Sequence, residues 1–201
     1  MPRQRILTDD IVLDRATRLF WQRGYAATTL RDLTRATGLS AAALYHRFDD
    51  KDGLFVRVVR HYADQGLSQR LQRLAAMTSP VRAIRTWFDE LVAASADDPQ
   101  HRGCLLVNTV LDGATMSAAA RAMVRSRLGE VEAFFRNQLV RAKVAGQIDP
   151  AIKPAALAET LLATVLAIRV LARLDPDRKR LQRLARQALA PLTLKQKAKA
   201  S

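Results

Sequence analysis

The chain is poor in several features on which other classes of protein depend. It contains a single cysteine in 201 residues, so it can form no internal disulfide, and this usage fits a reducing compartment. It has only eight glycines, and stretches that alternate apolar and polar residues, as β-strands do, are nearly absent. We therefore expect an all-α protein of one or two domains with a substantial core, located in the cytoplasm.

Uninterrupted apolar segments are also missing. The N-terminal residues contain no long apolar region, so no signal peptide is expected. The longest apolar run, residues 155–174, is interrupted by Glu159, Arg169 and Arg173, which argues against a membrane span. The three histidines are scattered and no carboxylate cluster stands in an apolar helix, so we expect no metal site, no cofactor and no enzymatic activity.

Positive charge is what the chain has in excess. Its formal net charge is +14 at pH 7, which favours a nucleic-acid partner. Residues 1–53 account for little of this charge, with nine arginines and lysines against seven aspartates. A prediction of specific DNA binding must therefore rest on a motif, while the bulk charge raises non-specific affinity and the association rate.

A helix-turn-helix pattern occupies residues 28–51. Apolar residues recur at helical spacing over residues 29–37 and predict a first short helix. Gly38 supplies the turn, since glycine adopts a left-handed backbone without strain. Ser40 follows as a helix N-cap, and a second short helix is predicted over residues 41–47.

The second of these short helices has two unlike sides. Leu44 and Phe48 stand four residues apart and predict the buried side. The other side carries small residues at its N-terminal end and polar residues further on. A helix that enters the major groove of DNA needs little bulk first and hydrogen-bonding groups next. The residues on this outer side are Ala41, Ala42, Tyr45 and His46.

This segment resembles the N-terminal domain of the TetR family of transcriptional regulators. The similarity covers about residues 8–60 at fixed spacing and without gaps. The resemblance implies an N-terminal three-helix helix-turn-helix DNA-binding domain followed by a C-terminal helical domain for ligand binding and dimerisation. The matching positions are Phe20, Gly24, Tyr25, Thr29, Thr37, Gly38, Leu39, Ser40, Leu44, Tyr45, Arg47, Phe48 and Lys51.

The resemblance also implies which residues contact double-stranded operator DNA, within and around the motif from Thr29 to Phe48. A threonine that begins the second helix and Lys51, which begins the fourth, are expected on phosphates. Ser40, Ala41 and Ala42 are expected to face the groove. Tyr45 and His46 are expected to reach phosphates or base edges, and Arg47 to contact a phosphate or, less readily, a guanine. The predicted DNA-contacting residues are Thr28, Thr29, Ser40, Ala41, Ala42, Tyr45, His46, Arg47 and Lys51.

The remaining chain has the spacing of further amphipathic helices. We place a DNA-binding domain at residues 1–53, a helical effector-binding and dimerisation domain at residues 54–192, and a disordered basic tail at residues 193–201. The predicted helices of the second domain cover residues 50–76 and 80–96, a long stretch after Gly113 to residue 145, and residues 154–174 and 176–190.

Residues 101–108, His-Arg-Gly-Cys-Leu-Leu-Val-Asn, resemble a Gly-Cys-Leu-Leu segment of one subset of TetR-like regulators, some of which sense oxidants or electrophiles through that cysteine. A helix N-terminus with Arg102 and His101 nearby would favour the Cys104 thiolate, the form that oxidation and alkylation attack. The alternative is that Cys104 is a small buried residue at a helix crossing. Both interpretations stay open at this point.

Large apolar residues of the second domain are candidates for an effector cavity, although their helical spacing favours plain core. With Cys104, the candidate effector residues are Trp87, Phe88, Met116, Met123 and Phe134.

The last two predicted helices are candidates for a dimer interface. The first of them is apolar around most of its girth, which is typical of a helix that is buried or meets a partner. In the TetR family the last two helices form a four-helix interface with their symmetry mates, the usual isologous arrangement of a dimer. The predicted interface residues are Leu157, Leu161, Thr164, Val165, Ile168, Leu181 and Leu184.

The sequence therefore predicts a DNA-binding transcriptional regulator of the TetR type. We expect a homodimeric repressor that leaves a pseudo-palindromic operator when a small ligand binds or when the thiol is modified. One alternative is a non-specific DNA-binding or scaffold protein, which the net charge permits. A small helical enzyme is the other, and it lacks a convergent set of acids, bases or metal ligands.

Overall fold

The computed structural model describes residues 7–112 and 117–193, and all regular secondary structure in these ranges is helical. This agrees with the predicted all-α class. Residue Met116 and nearly all of the predicted tail at 193–201 lie outside the described residues. The helices are α1 (Asp9–Arg23), α2 (Leu30–Thr37), α3 (Ala41–Phe48), α4 (Lys51–Tyr62), α5 (Gln69–Ala75), α6 (Pro80–Ala96), α7 (Leu105–Leu111), α8 (Ala118–Val144), α9 (Pro154–Leu174) and α10 (Arg178–Leu189).

Helices α2 and α3 begin and end where their sequence signals predict. Thr29 and Asp32 form a reciprocal capping box at the start of α2, which satisfies two backbone amides that the helix itself leaves unpaired. Gly38 ends α2 with φ 78° and ψ 11°, the left-handed conformation that glycine adopts readily. Ser40 then caps α3, its hydroxyl accepting a hydrogen bond from the Ala43 amide at 3.2 Å.

The chain divides into two compact units. The first contains the described residues up to Gln69 together with those between Cys104 and Arg127. It thus extends past the predicted domain boundary at residue 53, because α4 and α7 pack against α1. Its core is aromatic: the rings of Phe20 and Phe55 meet edge to face with centroids 4.9 Å apart.

The second unit runs from Arg70 to Gly103 and from Leu128 onward. Within it, α6 packs against α9 and α10, and α9 packs against α10. Its centre is an aromatic cluster to which α6 contributes Trp87 and Phe88 and α8 contributes Phe134 and Phe135. All four side chains are buried. Large rings of this kind supply much of the apolar surface that folding removes from water.

A π-helical stretch, Ala63–Ser68, separates α4 from α5. Gly66 lies within it. A Cβ atom on Gly66 would meet nothing within 4 Å, so packing does not require the glycine. Wider turns of this type weaken the regular hydrogen-bond ladder and are common at functional sites.

Helix α9 is the one helix among the described residues that is long and apolar enough, by length and composition, to cross a membrane. Its most apolar 18-residue window has a mean hydropathy of 1.8, and 28% of that window is buried inside the chain. Arg169 bonds inward, its guanidinium donating to the Ser95 hydroxyl of α6 at 3.2 Å.

Candidate nucleic-acid interface

Helix α3 presents one side to solvent and anchors the other in the first unit. Leu44 and Phe48 are buried, as their spacing predicted. Ala42 and His46 are exposed, and 45% of the Tyr45 surface is accessible. The helix therefore offers a small residue near its N-terminus and two hydrogen-bonding side chains beyond it, a profile that suits a major groove.

The N-terminus of α2 is a second polar surface. The Thr29 hydroxyl donates to the Asp32 carboxylate at 2.6 Å, and this hydrogen bond is the main reason that the pKa of Asp32 is lowered. Arg23 forms an ion pair with the same carboxylate at 2.8 Å and keeps half of its side chain exposed. The sequence analysis missed Arg23, because no local pattern connects the last turn of α1 with the cap of α2.

Thr28 is not available as a phosphate ligand through its side chain. The residue is only 1% exposed, and its hydroxyl donates to the Gly24 carbonyl at 2.7 Å. The prediction for Thr28 is therefore wrong at the level of the hydroxyl. The short segment between α1 and α2 folds back on itself, which buries Thr28 and leaves its neighbour Thr29 exposed.

Arg47 also differs from its predicted role. Its guanidinium donates to the Leu7 carbonyl at 2.9 Å and lies 3.6 Å from the carboxylate of Asp9, at the start of α1. An arginine so engaged ties the end of α3 to α1. The predicted contact of Arg47 with a phosphate or a guanine is therefore not supported by its geometry.

Lys51 begins α4 above an aromatic ring. Its ammonium lies 4.3 Å from the centroid of Tyr25, a cation–π distance. The Tyr25 hydroxyl in turn donates to the Asp52 carboxylate at 2.5 Å. Burial lowers the pKa of Lys51. The pKa of Tyr25 is raised to about 12, chiefly by burial and next by the hydrogen bond to Asp52. This ring holds the ammonium in one place at the N-terminus of α4.

Cys104 occupies the N-cap position of α7 and is half-buried. The Tyr62 hydroxyl points at its sulfur from 3.8 Å, and the Tyr62 ring packs edge to face on Trp21 of α1 with centroids 5.0 Å apart. The guanidinium of Arg102, expected near the thiol, forms an ion pair with Asp98 at 3.2 Å. The thiol is thus connected through Tyr62 to the DNA-binding helices, a connection that the sequence did not indicate.

The other effector candidates are not brought together into one cavity. Trp87, Phe88 and Phe134 pack in the aromatic cluster of the second unit, which is the plain-core alternative. The Trp87 indole nitrogen is buried there and has no hydrogen-bond partner among the described residues. Met123 is half-buried on α8 in the first unit, and Met116 lies outside the described residues.

Several residues predicted for the dimer interface are internal. Those fully buried within the chain cannot form a contact face for a partner, which corrects the prediction for Leu161, Val165, Ile168 and Leu181. Leu157, Thr164 and Leu184 remain partly exposed. The face of α9 that is open to solvent is instead the opposite one, and it carries Ala163, Ala167, Val170 and Leu174.

Comparison with known proteins agrees with this architecture along most of the chain. Residues 12–58 match the family of bacterial regulatory proteins described as the tetR family, and residues 80–188 match the tetracyclin repressor-like C-terminal domain. The chain is 29% identical over 184 residues to the HTH-type transcriptional repressor ComR of Escherichia coli (strain K12), covering 91% of this chain and 88% of that protein.

Solved structures give the same result. A cysteine mutant of the TetR-family transcriptional regulator CifR, complexed with 26-bp double-strand operator DNA, superposes with a TM-score of 0.83 at 30% identity, covering 94% of this chain and 98% of that one. The reduced form of Escherichia coli NemR superposes with a TM-score of 0.81 at 20% identity, covering 89% of this chain and 93% of that one, and supports the fold alone.

The N-terminal domain contains the three helices α1, α2 and α3, and its recognition helix α3 is exposed. This arrangement defines the class of the protein as a helix-turn-helix DNA-binding regulator and not an enzyme. Within that class, the chain belongs to the TetR family of bacterial transcriptional regulators.

The raised pKa of Tyr25 predicts that stability falls at high pH. Below pH 10 the phenol is protonated in both the folded and the unfolded chain. Between 10.0, its ordinary pKa, and about 12, the folded chain retains a proton that the unfolded chain has lost. Urea unfolding measured across this range is expected to show a decline in stability that Tyr25→Phe reduces. Tyr45→Phe, which removes an exposed phenol, is the matched control, and an equal effect of both variants would contradict the assignment.

Proposed function

We propose that this regulator is a cytoplasmic repressor that binds, as a homodimer, to a pseudo-palindromic operator. The observation that carries the proposal is the outer side of α3, where Ala42, Tyr45 and His46 face solvent while Leu44 and Phe48 anchor the helix. Two such helices related by a two-fold axis fit successive major grooves about one helical turn apart. The curated relative ComR is named a transcriptional repressor, and CifR was solved with operator DNA.

Contacts to bases and to phosphates come from different elements in this proposal. Ala41, Ala42, Tyr45 and His46 reach base edges from α3, and Ser40 holds the start of that helix near the DNA. The phosphates on either side are bound by Thr29 at the N-terminus of α2 and by Lys51 at the N-terminus of α4, where helix dipoles favour an anion. We add Arg23 as a further phosphate ligand, since its exposed guanidinium lies beside Thr29 through Asp32.

The dimer is proposed to form through α9 and α10. The solvent-exposed side of α9 carries Ala163, Ala167 and Val170, whose small and branched apolar side chains leave a surface that favours burial. Small residues let two helices approach closely, and an isologous contact requires only one such face per protomer. The partly exposed Leu184 of α10 lies on the adjoining helix and extends the surface.

The dimer is released from DNA when the spacing of its two DNA-binding domains no longer matches that of the two half-sites. Either a small ligand in the C-terminal domain or modification of Cys104 is proposed to cause it. The thiol route has a physical path: a group added to the sulfur displaces the Tyr62 hydroxyl, and Tyr62 packs on Trp21 of α1. Tyr62 also adjoins the π-helical stretch, where the helix is easiest to deform.

Substitution of Ala42 by glutamate tests the DNA interface. A carboxylate at this exposed position would face the bases and phosphates, and we expect the affinity for the chain's own upstream DNA to fall by roughly 100-fold. Gel-shift titration at several salt concentrations measures it. The control is Ala122→Glu on α8, an exposed helical alanine with the same change of charge, which should leave binding nearly unaltered.

Two results would contradict the proposal. Equal loss of affinity in both variants would assign the effect to bulk charge. Equal affinity of the unaltered chain for random and upstream DNA would favour the alternative of a non-specific DNA-binding protein.

Substitution of Val170 by aspartate tests the dimer. Val170 is 39% exposed on the open face of α9, and a carboxylate there would be buried without a partner in the proposed interface. Light scattering after size exclusion should report a dimer for the unaltered chain and a monomer for Val170→Asp. Val144→Asp, on the exposed end of α8, introduces the same group outside the interface and should remain dimeric. A dimeric Val170→Asp chain would rule out this face.

The single cysteine makes the thiol route directly testable. N-ethylmaleimide should release the unaltered protein from its operator, because alkylation of Cys104 adds bulk where Tyr62 contacts the sulfur. Cys104→Ser should bind the operator normally and ignore the reagent. Release of Cys104→Ser by the same treatment would exclude the thiol route and leave the small-ligand route.

A further inference from the structure

A groove runs between α6 and α10 in the second unit, formed by two adjoining cavities of about 520 Å³ and 580 Å³. Arg85, Arg186 and Leu189 line both cavities, so they stand at the junction between the two. We propose that this groove binds a small amphipathic organic anion, with a carboxylate or phosphate head at the two arginines and an apolar body beyond them. Each cavity falls within the size range of small-molecule sites.

The polar end of the groove is cationic. Arg178, Gln182 and Arg186 follow one another at four-residue steps on α10, and Arg85 and Asp89 stand at the same step on α6. The Arg178 guanidinium is paired with the Asp97 carboxylate. In the described part of the chain, no carboxylate lies within ion-pair distance of Arg85 or Arg186. The Arg85 guanidinium donates a hydrogen bond to the Thr193 hydroxyl at 3.4 Å.

The far end of the groove is mainly apolar. Ile152, Leu189 and Pro191 line the second cavity, its polar lining residues besides the shared Arg85 and Arg186 are Asp149 and Thr193, and no other cation among the described residues lines it. The groove can thus hold the charged head of a ligand at one end and its apolar body at the other. A guanidinium binds a carboxylate or phosphate through two parallel hydrogen bonds, and it does so most strongly where apolar walls exclude water.

The groove adjoins a part of the chain that is more basic than the DNA-binding domain. Residues 176–193 carry five arginines and lysines against one aspartate, whereas residues 1–53 are nearly balanced. The proposed dimer contact Leu184 does not line the groove, so a partner on that side of α10 leaves the groove open. Anion binding in this groove does not depend on the proposed function of the protein.

Calorimetric titration of the full chain, free of DNA, with octyl phosphate tests the site. The unaltered chain should bind it, and Arg85→Gln/Arg186→Gln should bind about tenfold more weakly, because two charge-assisted contacts are lost. The matched control is Arg82→Gln/Arg183→Gln, which removes two exposed arginines of the same helices that do not line the groove and should change affinity by less than about twofold. If the first double variant loses its helical circular dichroism, Arg186→Gln alone replaces it.

Three results would overturn the proposal. Equal weakening in both double variants would mean that bulk charge attracts the probe. Inorganic phosphate binding as tightly as octyl phosphate would exclude a role for the apolar end. Octanol binding as tightly would exclude a role for the arginines. Operator binding of each variant is measured separately, so a failure of repression and a failure of this site remain distinguishable.

Discussion

The packing of α1 against α4 is the constraint on which the DNA-binding surface depends. Helices α2 and α3 have eight residues each, and helices of that length are not stable alone in water. They keep their shape because Phe20 of α1 and Phe55 of α4 form an apolar centre against which Leu33, Leu44 and Phe48 are buried. The Arg15 guanidinium adds a bond to the Thr37 carbonyl, which fixes the end of α2 on α1. The outer side of α3 is therefore positioned by the buried residues behind it.

Polar contacts along the same two helices set the rotation of α4 on α1. Arg57 pairs with Asp9 at 3.0 Å, and a His61 ring nitrogen lies 2.8 Å from the Asp14 carboxylate. Exposed pairs of this kind contribute little to stability individually. Their value is geometric, because they connect successive turns of α4 to successive turns of α1. Lys51 at one end of α4 and Tyr62 at the other belong to one helix, so a displacement at the Cys104 end has a mechanical route to the N-terminus of α4.

Local signals in the sequence were sufficient where a residue acts on its own neighbours. The capping by Ser40 and the left-handed Gly38 depend on fewer than six consecutive residues, and they are found as predicted. Thr28 and Arg47 were misassigned because their partners, the Gly24 carbonyl and the start of α1, follow from a chain path that helical spacing does not encode. Arg23 was missed for the same reason. The spacing of the aromatic residues indicated buried positions. It could not show whether these side chains fill a core or line a cavity.

Helix α9 shows most clearly what the sequence pattern leaves undecided, namely which side of a helix the chain buries. A helix that is apolar on every side has no sequence marker for the side that faces its own chain. The predicted interface took the larger residues, Leu161, Val165 and Ile168, and these are the ones that the chain buries itself. The other side carries Ala163, Ala167 and Val170, and smaller residues there are physically reasonable. Large side chains fill the wide space between α9 and α6, whereas a symmetric contact between two copies of one helix brings backbones close and leaves room only for small ones. Residue size, read together with periodicity, would have separated the side of α9 that the chain buries from the side that it leaves exposed.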